Sequence, residues 1–469
     1  MANDGGRSLT KGEQRLLVAV VVFVGMVLGV LSWWNQRNLA PDVAIPTPVM
    51  PKPNAHDLLL TADQQLQHTI VMHRPAGTPI NKTAKQDSSG KVPTTLSLSG
   101  LNTYLVVTDA GKPNTDLPFD PTPAEMRALV RANAPGFAAV RQALQSAYVG
   151  TPVRSFDDIS RDIITFVEMA RKIWAAGRLK SIDGAWSAAM DDYVTIIHLG
   201  ETIPHGGALY SMMCGNSMQF IGRKSAWKIV SHLDAVQASA NAKRLAAITA
   251  THVPFADTLR EEKWTLTASL LEEFREPHWR VDFLEHSNMP NQSPANIVQV
   301  FLVSKREVVA HLMGDMDALI ANAQLPYAAQ KAPSHIPADP ISAELYPHWD
   351  LVRWEDVYSA TQNALLEVTL ALHAYQLDHG NYPATLTALV PGYLHTIPDD
   401  PFALKGLLRY RLKGQQYVLY SIGPDGKDDG GVASKDGLMP IPAPKIPPGK
   451  SGWLGEHSTG DIVAGVNIR

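Results

Sequence analysis

The chain has 469 residues, 45% of them hydrophobic, enough for a sizeable buried core and about three ordinary domains. Lys and Arg total 41 against 45 Asp and Glu, a net charge of -4, which excludes the basic footprint of a nucleic-acid-binding surface. The single cysteine, Cys214, excludes an intrachain disulfide and a four-thiolate zinc site, and its run Tyr210-Ser-Met-Met-Cys214 reads as helix with a small buried thiol.

Leu16 to Trp34 is free of charge and about 19 residues long, the length of a membrane-crossing helix, and Trp33 and Trp34 close it as an aromatic belt would. Arg7, Lys11 and Arg15 precede it and only Arg37 follows closely. That bias predicts a single-pass anchor in the cytoplasmic (inner) membrane, N-terminus inside and the bulk extracytoplasmic. A cleaved signal peptide would have a shorter apolar run and a small-residue cleavage site, so an uncleaved anchor is expected. Gly25 and Gly29 have the spacing through which two such helices pair, which would make a homo-oligomer. The resulting organisation is residues 1–15 as a tail, 16–36 as anchor, 37–118 as a proline-rich linker and irregular segment, 119–340 as an all-helical domain and 345–469 as a small α+β domain.

Within 37–118, Pro41, Pro46, Pro48, Pro51 and Pro53 predict an extended spacer, and Thr103 to Thr108 a lone strand. Thr122-Pro123 starts a helix that Pro135 should end or kink. Ser155 with Asp158 starts a second, whose apolar face is Ile159, Ile163, Phe166, Val167, Ala170 and Trp174. Further helices are expected over Ile182–Ile203, Ala208–Ala250, Asp257–Phe274 and Ala295–Gln324, separated by Pro204, Pro254, Pro277 and Pro290.

The motifs of catalysis are weak. Gly77 to Thr83 lacks the second glycine of a phosphate loop. His198 and Glu201 share a helix face, but Thr202 stands where a zinc-binding histidine is required, and His198 and His205 read as ordinary helix residues. Ser225-Ala-Trp-Lys228 matches a serine-acylating pattern whose companion Lys-Thr-Gly is absent. Asp157-Asp158, Asp191-Asp192, Glu261-Glu262 and Glu272-Glu273 read as solvated faces or helix-start charges.

Asp356 to Asp378 is amphipathic, with Val357, Ala360, Ala364, Leu365, Val368, Ala371, Leu372 and Tyr375 in one stripe. Gly380 suits a helix cap, Thr385 to Leu389 a short helix, and Leu408–Leu412 and Tyr417–Ser421 the arms of a hairpin.

These blocks are Ala371-Leu-His-Ala-Tyr375, Asp378-His-Gly-Asn-Tyr-Pro383, Leu386-Thr-Ala-Leu-Val390, Asp400-Pro-Phe402, Leu408-Arg-Tyr410 and Tyr420-Ser-Ile-Gly-Pro-Asp-Gly426. In that order they resemble the C-terminal region of type II secretion major pseudopilins (G-type). The whole layout also resembles uncharacterised bacterial membrane-anchored proteins with a similar ending. The resemblance implies a calcium-binding loop, with Asp425, Asp428, Asp429 and a returning Asp461 as ligands; calcium takes six to eight oxygens. Two departures separate the chain from a pilus subunit. About 300 residues lie between apolar segment and matching helix, and Leu16 to Trp34 carries no glutamate. The expected function is therefore a non-catalytic membrane-tethered scaffold or binding protein with an envelope-protein partner. The alternatives are a secretion or pilus subunit, and a hydrolase with its site in the helical region at Ser225, His198 or His205.

Overall fold

Among the described residues, six of the twelve α-helices begin at a capping side chain that satisfies their first free amides. The structure, a computed structural model, describes residues 20, 22–27, 29–30, 38–66, 122–156, 161–286, 293–330, 337–346, 349–436 and 454–466. Asn54 caps α1 (Ala55–Gln64) and also bonds both backbone groups of Val149. The expected Thr122 start forms a reciprocal capping box with Glu125 at the head of α2 (Pro123–Ala143). α2 nevertheless runs straight through Pro135. The proline costs about 3 kcal/mol in a helix interior, and burial of Phe137, Val140 and Ala143 beyond it offsets that loss.

There follow α3 (Arg161–Ile182), α4 (Trp186–Thr202), α5 (Leu209–Trp227) and α6 (Ala235–Thr249). The single helix expected over Ala208–Ala250 is thus two, parted by a 3-10 turn at Val230–His232. The overlooked signal is Asp234 with Gln237, a complete capping box. Then come α7 (Phe255–Glu273), α8 (Trp279–His286), α9 (Pro294–Leu302), α10 (Lys305–Ala323), α11 (Pro340–Leu345) and α12 (Trp349–His379). A three-stranded antiparallel sheet closes the order: β1 (Arg409–Lys413), β2 (Gln416–Ser421) and β3 (Ile462–Val463), with β2 central. Arg409 pairs with Tyr420 and Tyr420 with Val463. The Asp158 of the expected second capping box, Thr103–Thr108 and Gly77–Thr83 lie outside the described residues.

The expected membrane anchor is corrected. No helix among the described residues is long and apolar enough to cross a membrane. A span needs about 20 predominantly apolar residues. Of Leu16 to Trp34 only Val20, Val22 to Val27, Gly29 and Val30 are described, all of them helical. The helices with sufficient length are polar along it; α12 alone carries Asp350, Arg353, Glu355, Asp356 and Glu367. The single-pass, inner-membrane placement and its inside–outside division of the chain therefore do not stand. What remains of the expected architecture is a mostly helical chain with a small antiparallel sheet. A Cβ added at Gly25 or Gly29 would meet nothing within 4 Å among the described residues.

Two apolar clusters fill the interior. The larger joins α1 to α6, most of α12 and the sheet; the smaller joins α7 to α11, the start of α5 through Leu209, Met212 and Met213, and the first turn of α12 through Trp349 and Val352. α5 and α12 are the elements common to both. The segment before α1 straps them together: Asn38 accepts from Arg280 at 2.8 Å, Val43 packs on the smaller cluster, and the Pro46 carbonyl accepts from Arg154.

The closest helix crossing is α4 on α5. A Cβ added at Gly200 would lie 2.5 Å from the Gly215 carbonyl, and one at Gly215 would lie 2.5 Å from that of Gly200. Gly222 meets the Tyr193 carbonyl in the same way, at 2.6 Å. Three glycines thus let two backbones touch, and Glu201 and Gln219 are carried to the same spot.

Gly215→Ala is expected to lower the unfolding free energy by about 1–3 kcal/mol, because backbone rather than a flexible side chain must yield. Gly314→Ala, in α10 with open space around it, should raise it by about 0.5–1 kcal/mol through helix propensity alone. Denaturant melts of both variants check the pair.

Candidate functional site

α12 buries its polar stripe as well as its apolar one. Asp356, Ser359 and Asn363 follow at i, i+3 and i+7, so they share one face, and all three are buried. They meet Glu201 from α4, Gln219 and Arg223 from α5, and His252 from the turn after α6. His252 Nδ1 lies 2.9 Å from Glu201 Oε2, and its Nε2 lies 3.2 Å from Asp356 Oδ1. Arg353 donates to the other Asp356 oxygen at 2.9 Å. Asn363 donates to Glu201 Oε1 at 3.0 Å and to Gln219 Oε1 at 2.8 Å. Arg223 Nη1 donates to Gln219, Ser359 and Asn363.

Both ring nitrogens of His252 face carboxylate oxygens, and only the imidazolium has two N–H groups to give them. Burial opposes that charge, but Asp356 and Glu201 outweigh it and hold the imidazole well above its ordinary 6.5. For Arg223, burial lowers the guanidinium to about 10 against the favourable fields of Tyr358 and Glu201. One turn beyond Asn363, burial raises Glu367 to about 7. As a chemical device the cluster holds an imidazolium with no unoccupied nitrogen. A general base needs a free lone pair near its working pH, so this histidine is arranged to join α4 to α12. A small cavity of ≈ 10 Å³, about the room one water needs, lies beside it, lined by Phe220, Arg223, Lys224, Trp227, Tyr358 and Gln362.

The residues singled out for hydrolysis are scattered. Ser225 Oγ accepts from the Trp174 indole at 3.0 Å, and Lys228 is an exposed helix cap. Burial, then Arg244, push His198 down to about 4, while His205 Nδ1 contacts the Thr202 carbonyl at 2.9 Å. Burial pushes the Cys214 thiol up to about 12, which leaves it inert. Two residues of the acidic pairs read as solvated faces or helix-start charges have specific partners. Asp192 is fully buried between Arg141 and Lys180. Glu262 accepts the Leu209 amide at the head of α5, and burial raises it to about 7.

In the C-terminal loop, Asp461 is buried and accepts from the amides of Asp429, Gly431 and Val432 at 3.3, 2.7 and 3.1 Å. Asp428 accepts from Tyr420 and Gly430 and lies 3.5 Å from Arg409. Asp425 caps its own turn through the Lys427 amide, and Asp429 is exposed. The loop is therefore gathered around the Asp461 carboxylate, whose two oxygens accept from three backbone amides. Among the described residues no three His, Cys, Asp or Glu side chains converge as metal ligands.

Sequence reasoning found Glu201 only as half of a failed zinc motif and did not single out His252. The available signal was the second stripe on α12, Asp356, Ser359, Asn363 and Glu367, all polar at helical spacing. No known protein family matches the chain, and no similar protein or solved structure is found, so nothing there supports a pseudopilin, secretion or calcium-binding assignment.

The raised His252 value fixes a sign. Its charged form is stabilised by folding, so that stability is complete below 6.5 and is lost as pH rises through the higher folded value. Unfolding free energy is expected to fall as pH rises above 6.5, and His252→Gln should flatten that fall. His198 acts in the opposite sense, but only between 4 and 6.5. Denaturant titrations of both proteins above pH 6.5 check this. Asp461→Ala strands three amides and should cost on the order of 3 kcal/mol, whereas Asp425→Ala should stay within about 0.5 kcal/mol. Running the same melts with chelator and with calcium tests the metal. A calcium-dependent rise abolished by Asp425→Ala would overturn the amide-centred account of the loop.

Proposed function

We propose that this chain is a non-catalytic scaffold or binding protein. The observation that carries the reading is the Glu201–His252–Asp356 contact. The densest group of titratable side chains in the described structure is engaged with itself across three helices. The cavity described beside it has room for about one water, where substrate pockets run to several hundred Å³. Ser225, His198 and His205 have separate partners, which weighs against the hydrolase alternative.

The surface supports binding of a protein partner. Val298, Phe301 and Leu302 of α9 and Val281 of α8 are exposed large apolar side chains, Leu302 to 60%. Contiguous apolar patches of this kind mark interaction surfaces. Arg280 ties α8 to the end of α9 through the carbonyls of Val300 and Val303.

The test uses the full chain carrying a photo-crosslinking residue at Phe301. The expected result is one reproducible protein adduct in extracts of the source cells. Val298→Asp should abolish it, with the melting temperature unchanged. Hydrolysis of generic ester, amide or phosphate substrates that disappears in Ser225→Ala or His252→Gln would overturn the reading, as would equal crosslinking from an unrelated exposed site such as Val236.

A further inference from the structure

Two apolar surfaces of this chain lie unpacked, and the strap before α1 ties them to one place. In the N-terminal helical run, Phe23, Met26, Val27 and Val30 recur at i, i+3, i+4 and i+7, the spacing of a stripe that packs against a partner. The stripe has no such cover: Phe23 is 64% exposed and Val30 63%, and neither apolar cluster contains a residue of this run. On α9 only Val300 is buried. Val298, Phe301 and Leu302 stand at i, i+3 and i+4, exposed beside Val281 of α8 and outside both clusters. Arg280 donates to Asn38 Oδ1 at 2.8 Å and to the carbonyls of Val300 and Val303. The chain that carries the helical run therefore meets the body at the end of α9. From Val30 to Asn38 is eight residue steps, a span of at most about 29 Å. The nine residues of α9 extend about 14 Å. The run thus starts within reach of the face, yet within one chain both stay uncovered.

On the reading of the α8–α9 face as a protein-binding surface, we propose that its partner is a second copy of this chain. The N-terminal helical run of each copy lies on the α8–α9 face of the other. Each copy holds one run and one face, so a two-fold pair covers both and leaves neither open for a third copy. Because each run departs beside its own face, two copies that meet there exchange runs across a short gap. Removal of apolar side chains from water on both sides drives the exchange.

Sedimentation of the purified full chain tests the exchange, together with crosslinking from Phe301 in a mixture of isotopically light and heavy copies. A dimer is expected, with adducts that join Phe301 of one label to the run Val20 to Val30 of the other. Phe23→Asp and Val298→Asp should each weaken dimerisation by about tenfold or more, since each buries a carboxylate without a partner. A mixture of the two variants should recover a dimer, because it pairs one intact run with one intact face. A run that folds back on its own chain, or that pairs with another run, gives no such recovery. A monomer at every concentration, a mixture that stays monomeric, or a run captured by phospholipid vesicles while Phe301 stays unlinked would overturn the exchange. A monomer whose Phe301 still yields an adduct with a different protein in cell extracts overturns the exchange alone, whereas the absence of any adduct removes the binding surface as well.

Discussion

A single imidazolium held between two carboxylates from different helices determines where the longest helix sits. His252 reaches Glu201 on α4 with one nitrogen and Asp356 on α12 with the other. Around that contact Asn363, Gln219, Ser359 and Arg223 close a chain of hydrogen bonds. Such networks contribute less to net stability than apolar packing of the same volume. Their contribution is position. Sliding α12 by one turn would leave Asp356 and Arg223 buried without partners, so only one register of α12 on α5 satisfies both. The glycine crossing of α4 and α5 is the precondition, since it brings Glu201 and Gln219 within reach of the same asparagine.

What the sequence made legible was the apolar half of this arrangement. The stripe from Val357 to Tyr375 packs into the core as its spacing required, and the capped starts at Thr122 and the hairpin near Gly414 follow from local chemistry. The polar half was not legible, because Asp356, Ser359 and Asn363 at helical spacing read as a solvated face unless a partner is known. Their partners lie about 100 to 160 residues away in sequence, and no local rule connects His252 to Glu201 and Asp356. Asp192 was misread for the same reason: a carboxylate buried between Arg141 and Lys180 looks in sequence like any surface acid. The apolar N-terminal run was read by hydropathy alone, and no helix among the described residues is long and apolar enough to cross a membrane. The acidic C-terminal loop shows the converse. Its composition suggests a cation, and what folding adds is that the Asp461 carboxylate takes three backbone amides, a pattern invisible in residue types.

The two apolar clusters differ in how they are held. The larger contains the charge network, the glycine crossing and the sheet. The smaller depends on α7 packed against α10, on the Asp339 cap that binds Ser342 and His311 at the head of α11, and on the first turn of α12. Since α12 enters both, melting of the smaller cluster removes support from the helix at the centre of the larger one, and the body unfolds as a coupled unit.

The strap before α1 gives this coupling a mechanical aspect. Tension applied at the N-terminal end reaches the body first at Asn38 and Arg280, on the smaller cluster, then at Pro46 and Arg154, and only afterwards at Asn54 and Val149 on the larger one. The three attachments lie in series along about 16 residues of extended chain, each on a different helix or turn. Force would therefore peel α8 and α9 away before it stressed the buried network, so α8 and α9 form the yielding part of the molecule and the α4–α5–α12 junction its stiff part.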